Sequence, residues 1–493
     1  MSVRPAVLCG LAVVAAVCAF QLWISDDNPP GFFRDEAAIA YNASTIADEG
    51  RDEYGARLPL YFASFLDYKS PTFVYGLAGV FLVTGPHREV AREFAAVCML
   101  AAILLLGWLA YARTGRASVG LATLAVAGSA PWLFELGRVA LEVAIEPLFL
   151  CLVLLGVERA SRLQRWTPLT AVPVALALGA ITYSYAGGRL LAALLAGALV
   201  VLVNRQRRRW VATVWFGFAA TQIPLLLYSH AHPGALSRRF DATTFIHGDM
   251  SPWEIAGRGV FNYLQDLQLW QYVVSGDSKP YAHTPGTSAL LGASVALSIA
   301  GVVIVLRRHR ADAFWRFALT ALLVSPVPAA LTIDRFHAIR LAPFAVMLVV
   351  FTIPAIAALR EAVVPSSRAR ILAGALVAAG AVQFGLFVHD WSHDGPLRTG
   401  RFEAGIPFML DHAWANGGTV YVDYDDHEPL TLARWYALTK RISQARVVRL
   451  PDGGVPPTGT IAFGRTQSCD YVCTRIERSG DYWLARVKGP RPA

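Results

Sequence analysis

The stretch Pro71-Thr72-Phe73-Val74-Tyr75-Gly76-Leu77-Ala78-Gly79-Val80-Phe81-Leu82-Val83-Thr84-Gly85 decides how the rest of the chain is laid out. It is apolar, yet its fifteen residues fall short of the roughly 20 that a helix needs to cross a bilayer core. If it does not cross, the clusters Arg113/Arg116, Arg159/Arg162/Arg165, Arg205/Arg207/Arg208/Arg209, Arg307/Arg308/Arg310 and Arg360/Arg368/Arg370 all fall on the side of Arg4. If it crosses, all five change sides. Basic loops remain in the cytoplasm. Residues 71–84 are therefore read as a helix along the outer membrane surface, with the N-terminus inside and the C-terminus outside.

Composition makes lipid the solvent. Hydrophobic residues are 55% of the 493 and charged residues 16%, too little polar surface to cover so much apolar side chain in water. The net charge of +9 is scattered as arginines between apolar runs, the distribution of a membrane protein, and no nucleic-acid partner is expected. Spans are expected at 5–24, a retained anchor in preference to a cleaved signal, and near 93–111, 118–135, 142–157, 168–185, 189–204, 210–229, 286–306, 313–332, 338–358 and 370–389. The fold class is thus an α-helical polytopic membrane protein of about eleven transmembrane helices plus juxtamembrane helices. Cys9, Cys18, Cys98 and Cys151 lie in apolar runs as small hydrophobes, whereas Cys469 and Cys473 could close a tight disulfide outside the cytoplasm.

The short outer loops carry Asp35, Glu36, Lys69, Arg88, Arg92, Arg138, Glu142, Arg189, Asp334, Arg335, His337 and Arg340, against the charge bias of that face. Ionisable groups that oppose the topological rule are candidates for function. In the first outer loop, residues 25–70, Asp35-Glu36 emerge just beyond a span and Asp67-Tyr68-Lys69-Ser70 precede the surface helix. Lys69 suits a phosphate held at headgroup level, and Asp35 suits a general base for an incoming hydroxyl. The simpler reading makes Asp35 and Glu36 partners of a helix N-terminus, and makes Arg138, Glu142, Asp334, Arg335 and Arg340 structural ion pairs. The loop of residues 230–285 carries Trp253, Tyr263, Trp270 and Tyr272 at helical spacing and could lie on the bilayer.

The order of Asp35-Glu36, the Gly50-to-Gly55 stretch and Tyr68-Lys69-Ser70-Pro71 resembles the GT-C integral-membrane glycosyltransferases, in the protein O-mannosyltransferase and lipid A aminoarabinose transferase branch. Gly137-Arg138-Val139-Ala140-Leu141-Glu142, Gly276-Asp277-Ser278-Lys279-Pro280-Tyr281-Ala282-His283 and Asp334-Arg335-Phe336-His337-Ala338-Ile339-Arg340 are similar to later outer-loop signatures of that branch. The resemblance spans residues 1–390 and departs from the pattern at Ser70 and in having Glu142 for Asp. It implies an inverting transfer of a sugar from a polyprenyl-phosphate donor, reached from the lipid, to a glycan, lipid or protein acceptor on the extracytoplasmic side. Asp35 and Glu36 would be catalytic; Lys69, Arg138, Arg335 and Arg340 would bind the donor phosphate. Tyr68, Glu142, Asp277, His283, Asp334 and His337 would contact substrate. A divalent metal is neither required nor excluded by this set. The Ala, Arg and Val bias suggests a high-GC bacterium, hence the inner membrane and a decaprenyl or undecaprenyl carrier.

A transporter or flippase also fits many spans with scattered charges, but such proteins carry their charges near the midplane, and here they gather at one face. A membrane-anchored scaffold gives the acidic pair and Lys69 no role. After residue 390 the composition changes. Residues 391–493 are read as a small extracytoplasmic α/β domain, with helices at 402–414 and 429–440 and strands at 419–423, 445–450, 460–463 and 482–486. Asp423, Asp425, Asp426, His427 and Glu428 form an acidic turn after its first strand.

Overall fold

The computed structural model describes residues 5–23, 25, 27–65, 67–162, 167–415, 418–422, 427–451, 454–465 and 472–489, and the chain forms two compact units. The first unit comprises residues 1–23, 70–73 and 95–391, and the second comprises residues 24–69, 74–94 and 392–493.

Every span expected from the sequence contains a helix. Six helices are long and apolar enough to cross a membrane: Arg88–Thr114, Arg208–Ala231, Gly292–His309, Ala313–Ala330, Ala342–Ala362 and Ser367–Leu397. Shorter apolar helices lie at Val7–Gln21, Ala117–Gly128, Pro168–Thr182 and Gly188–Leu202, and a further helix runs over Glu146–Arg162. The ambiguous stretch is also helical, over Pro71–Thr84. Expected span 118–135 is interrupted: the first helix stops at Gly128, and Pro131, which has no N–H to give, opens the next at Pro131–Leu136.

In lipid the tails are as apolar as the helices, so close packing of small residues holds neighbours together. Gly301 shows how tight this packing is, because a Cβ there would fall 1.6 Å from the Phe351 carbonyl oxygen on the Ala342–Ala362 helix. Gly107 and Gly120 meet reciprocally: a Cβ on the first would lie 3.3 Å from the carbonyl oxygen of Gly120, and one on the second 3.0 Å from that of Gly107. A polar tie fixes the end of the first helix, where the Gln21 amide donates to the Gly128 carbonyl at 2.8 Å. At other helix ends, Arg113 and Arg162 share the buried carboxylate of Glu158.

The second unit is built on a mixed five-stranded sheet and a two-stranded hairpin. The hairpin pairs β1 (Phe62–Ser64) with β2 (Asp67–Lys69), Phe62 opposite Lys69. The larger sheet contains β3 (Val420–Val422), β4 (Val447–Arg449), β5 (Ile461–Arg465), β6 (Val472–Ser479) and β7 (Tyr482–Gly489), in the order β4-β3-β5-β7-β6. β3 pairs in parallel with β4 and β5; β7 pairs antiparallel with β5 and β6. Helices Arg34–Glu49, Ile406–Ala415 and His427–Thr439 complete the unit. Its core includes Ala462, Trp483, Ala485 and Val487. Strand β6 was not foreseen, because Thr474-Arg475-Ile476-Glu477-Arg478-Ser479 lacks an apolar alternation; it is a largely exposed edge strand. Cys473 on β6 is disulfide-bonded, while its expected partner Cys469 and the expected acidic residues Asp423, Asp425 and Asp426 lie outside the described residues.

Replacing Gly301 by leucine should destabilise the first unit by about 3 kcal/mol, the upper range for overpacking. Gly374→Ala, on a helix position where a Cβ meets nothing within 4 Å, should leave the melting temperature unchanged or raise it. Thermal unfolding of the two variants in the same detergent checks the contrast.

Candidate active site

In the second unit, the helix Arg34–Glu49 presents two adjacent carboxylates that are used differently. Glu36 is fully buried and forms a two-pronged ion pair with Arg92, Nε to Oε1 at 2.9 Å and Nη2 to Oε2 at 2.9 Å. Glu36 Oε2 also accepts the Phe33 N–H at 3.0 Å, closing the open end of the helix. Arg92 extends the tie by donating to the carbonyls of Pro29 at 2.7 Å and Gly31 at 3.0 Å. Asp35, one residue earlier, turns a different way. Its Oδ1 lies 2.5 Å from Lys69 Nζ at the end of the β1–β2 hairpin. The Asp35 side chain keeps a quarter of its surface exposed, while that of Lys69 keeps only 8%, so the carboxylate is the accessible half of the pair. Asp67 adds a second negative charge at 3.8 Å from the ammonium, and Tyr68 lies between them on β2.

The residues before Asp35 are gripped from the C-terminal part of the same unit. Glu403 Oε2 accepts the Arg34 N–H at 2.8 Å, and Arg34 Nη1 reaches Glu428 Oε2 at 3.0 Å. Glu428 also pairs with Arg465. Gly31, at φ +69°, is required where it stands, because a Cβ would lie 2.2 Å from the Phe402 carbonyl oxygen. Burial pushes the Glu403 carboxyl up to about 8, against the opposing pull of Arg34. Beyond the end of the helix, Glu53 accepts from Asn42 Nδ2 at 2.9 Å and from the Thr431 hydroxyl at 2.9 Å.

In the first unit, two of the expected outer loops are tied together by buried charge. Asp277 accepts the Ala338 N–H at 2.7 Å and the Lys279 N–H at 2.8 Å, and burial raises its pKa to about 6. His337 stands 3.6 Å from Asp277 and 3.0 Å from the Tyr281 hydroxyl; burial, reinforced by Arg340, lowers its pKa to about 3, so the ring is neutral. Asp334 bridges Lys279 at 3.1 Å and Arg340 at 2.9 Å. His283 is sealed against Glu135; burial opposes its charge, but the adjacent carboxylate prevails and raises its pKa. Glu135 also accepts the N–H and hydroxyl of Thr284 at 2.7 and 2.6 Å. Glu142 accepts the Ser70 N–H at 2.6 Å. Arg138 is buried with its guanidinium 4.1 Å above the Phe134 ring, donating to the carbonyl of Gln21 at 2.6 Å, where a cation complements a helix C-terminus. Arg335 is exposed and lies over Phe261 at 5.6 Å.

A cavity of about 310 Å³ opens in the first unit, lined by Arg189, Arg239 and Arg340, by Tyr185 and Glu146, and by apolar groups that include Leu190, Leu191, Phe240 and Leu331. Of these the sequence singles out Arg340 as a phosphate ligand and Arg189 as an outer-loop charge. Glu146, directly before Pro147, reads as an acidic residue at a helix start, Arg239 reads as one more loop arginine, and Tyr185 reads as part of an interfacial aromatic belt. Their convergence depends on the packing of three separate segments and leaves no local motif. Among the described residues no group of three His, Cys, Asp or Glu side chains is gathered as a metal site.

No family model matches the sequence, and no curated protein matches it. The fold, in contrast, is shared with solved structures. The crystal structure of ArnT from Cupriavidus metallidurans bound to undecaprenyl phosphate superposes with a TM-score of 0.62 at 13% identity, over 99% of this chain and 100% of that one. The same protein in the apo state gives 0.60 at 14% identity, over 98% and 99%. The archaeal oligosaccharyltransferase AglB from Archaeoglobus fulgidus, in complex with an inhibitory peptide and a dolichol-phosphate, gives 0.53 at 12% identity, over 87% of this chain and 64% of that one. At this level of identity the likeness is one of fold, and it agrees with the architecture expected from the sequence: a multi-pass helical membrane protein with a small C-terminal sheet domain.

Two outcomes follow from the geometry. Removing one partner of the sealed Glu36–Arg92 pair, as in Arg92→Ala, should destabilise the protein by about 3–5 kcal/mol, read as a fall in melting temperature. Glu403 has a folded-state pKa raised to about 8, above its unfolded value, so the stability it contributes is complete below about pH 4.5 and is lost as pH rises through 8. Glu403→Gln, which keeps an acceptor for the Arg34 N–H, should flatten the fall in melting temperature between pH 5 and pH 8.

Proposed function

We propose that this protein is an inverting glycosyltransferase that moves a sugar from a polyprenyl-phosphate donor to a hydroxyl-bearing acceptor on the extracytoplasmic side of a bacterial inner membrane. The observation that carries the reading is the Asp35–Lys69 pair at 2.5 Å, with an accessible carboxylate, in a chain that has the fold of a structure bound to undecaprenyl phosphate. Residues 1–390 are taken as the catalytic membrane domain and residues 391–493 as an extracytoplasmic domain, with the N-terminus in the cytoplasm. The disulfide-bonded Cys473 suits an oxidising compartment.

The chemistry is a single displacement. The acceptor oxygen attacks the anomeric carbon, the bond from that carbon to the phosphate oxygen breaks, and the acceptor proton passes to Asp35. Polyprenyl phosphate leaves as an anion, with the ammonium of Lys69 assigned to its developing charge. The Asp35–Lys69 contact fixes where the carboxylate stands, with Oδ1 on the ammonium. Glu36, with both oxygens engaged, is assigned a supporting role, and Arg138 is assigned to anchoring the first helix. The arginine-lined cavity of the first unit, apolar along part of its wall, has the chemistry to take a lipid-borne anion, with Arg340 joined there by Arg189 and Arg239.

The test is transfer of radiolabelled sugar from polyprenyl phosphate by purified protein in proteoliposomes. Asp35→Asn should lower the transfer rate by roughly 10²–10⁴-fold with little change in melting temperature, and Lys69→Met should lower it by roughly 10²–10³-fold with a lower melting temperature, because Asp35 and Asp67 lose their buried cation. Full activity of Asp35→Asn, or movement of the lipid-linked sugar across the bilayer with no new glycosidic bond, would overturn the proposal.

A further inference from the structure

Glu146 is 2% exposed, and among the described residues its Oε1 has no hydrogen-bond partner. It opens the helix Glu146–Arg162 and lies on the wall of the arginine-lined cavity. The carboxylate is held close to the backbone of Gly188, where a Cβ would stand 2.8 Å from Oε1. Gly188 begins the helix Gly188–Ala198, so the positive end of that helix offsets part of the carboxylate's charge. Among the described residues no hydrogen bond to Oε1 completes it. Of the cavity arginines, Arg189 donates to the Leu236 carbonyl at 2.8 Å, and Arg340 to Asp334 at 2.9 Å and to the Thr332 hydroxyl at 2.8 Å.

An acidic group taken out of water without a partner is costly, and it persists where a ligand supplies the missing donor. This ligand must satisfy two chemistries in one cavity. Guanidinium groups select an anion, a lone carboxylate selects a hydrogen-bond donor, and Leu190, Leu191 and Phe240 accept an apolar chain. A bare phosphate or a simple anionic lipid would leave the carboxylate unpaired and repelled. A sugar phosphate on an isoprenoid tail carries all three groups.

We propose that Glu146 reads the sugar of the lipid-linked donor, its carboxylate accepting a hydrogen bond from a sugar hydroxyl. The inference rests on the transfer reaction proposed above and adds the residue that distinguishes charged carrier from spent carrier. No covalent step involves Glu146.

The experiment measures the affinity of the full-length protein in nanodiscs for two probes, undecaprenyl phosphate and mannosyl-phosphoundecaprenol. In the wild type the sugar-bearing lipid should bind more tightly than the bare one. Glu146→Leu should weaken the sugar-bearing lipid by roughly 10- to 100-fold, with the bare lipid changed less than about twofold. Glu146→Gln, which keeps an acceptor oxygen, should recover most of the loss. Equal weakening of both lipids would assign Glu146 to folding or to the phosphate, and an unchanged ratio of affinities would deny it any part in sugar recognition; either overturns the proposal. A glutamine variant as poor as the leucine variant would overturn the hydroxyl assignment. If the wild type binds neither lipid, the transfer reading itself fails, an outcome the variants do not produce.

Discussion

The buried ion pair between Glu36 and Arg92 is the constraint on which the candidate chemistry depends. It closes the first turn of the Arg34–Glu49 helix and ties that turn to the carbonyls of Pro29 and Gly31. Successive residues on a helix point about 100° apart. Once Glu36 is fixed inward, Asp35 is obliged to face a different direction, and Lys69 meets it there. The expense of burying two charges is offset by complete hydrogen bonding of the carboxylate, and the return is a defined orientation for a neighbouring group.

Around that pair the second unit adds further restraint. Glu403 holds the Arg34 N–H and itself occupies left-handed backbone at φ 48°, a conformation that a non-glycine residue adopts only when its surroundings enforce it. Arg398 reaches Asn28 at 3.0 Å. The first outer loop is thereby organised by residues more than 300 positions later in the sequence. The first unit follows a different design, with a neutral histidine, an aspartate of raised pKa and a second aspartate shared by Lys279 and Arg340 joining two loops beside an open cavity.

Much of the architecture was legible in the sequence because lipid imposes a simple rule: a helix must be apolar over its length, and its arginines must stay on one side. That rule yields the expected spans, each of which contains a helix. The Asp35–Lys69 pairing was legible for a related reason, since charges that defy the side rule need a purpose. What was hidden depends on packing. Asp35 and Glu36 are adjacent and chemically alike, so nothing local says which one is sealed. Sequence proximity assigned residues 25–69 to the membrane half, whereas Arg34–Glu428 and Glu53–Thr431 bind them into the unit of the C-terminal sheet. Glu146 drew no notice in the sequence because the surroundings that set it apart exist only in three dimensions. Strand β6 escaped because an edge strand need not alternate.

The helix Ser367–Asp394 extends this logic to the surroundings of the protein. Its 28 residues span roughly 42 Å at 1.5 Å per residue, against roughly 30 Å of hydrocarbon, and only 6% of its most apolar stretch is buried inside the protein. A stripe through Gln383, Phe384 and Phe387 packs inward, and much of the remaining surface is left for acyl chains to solvate. For this segment, the thickness of the surrounding amphiphile takes the place of a protein neighbour, and a micelle of mismatched depth would act on it much as a substitution in a packed core acts elsewhere.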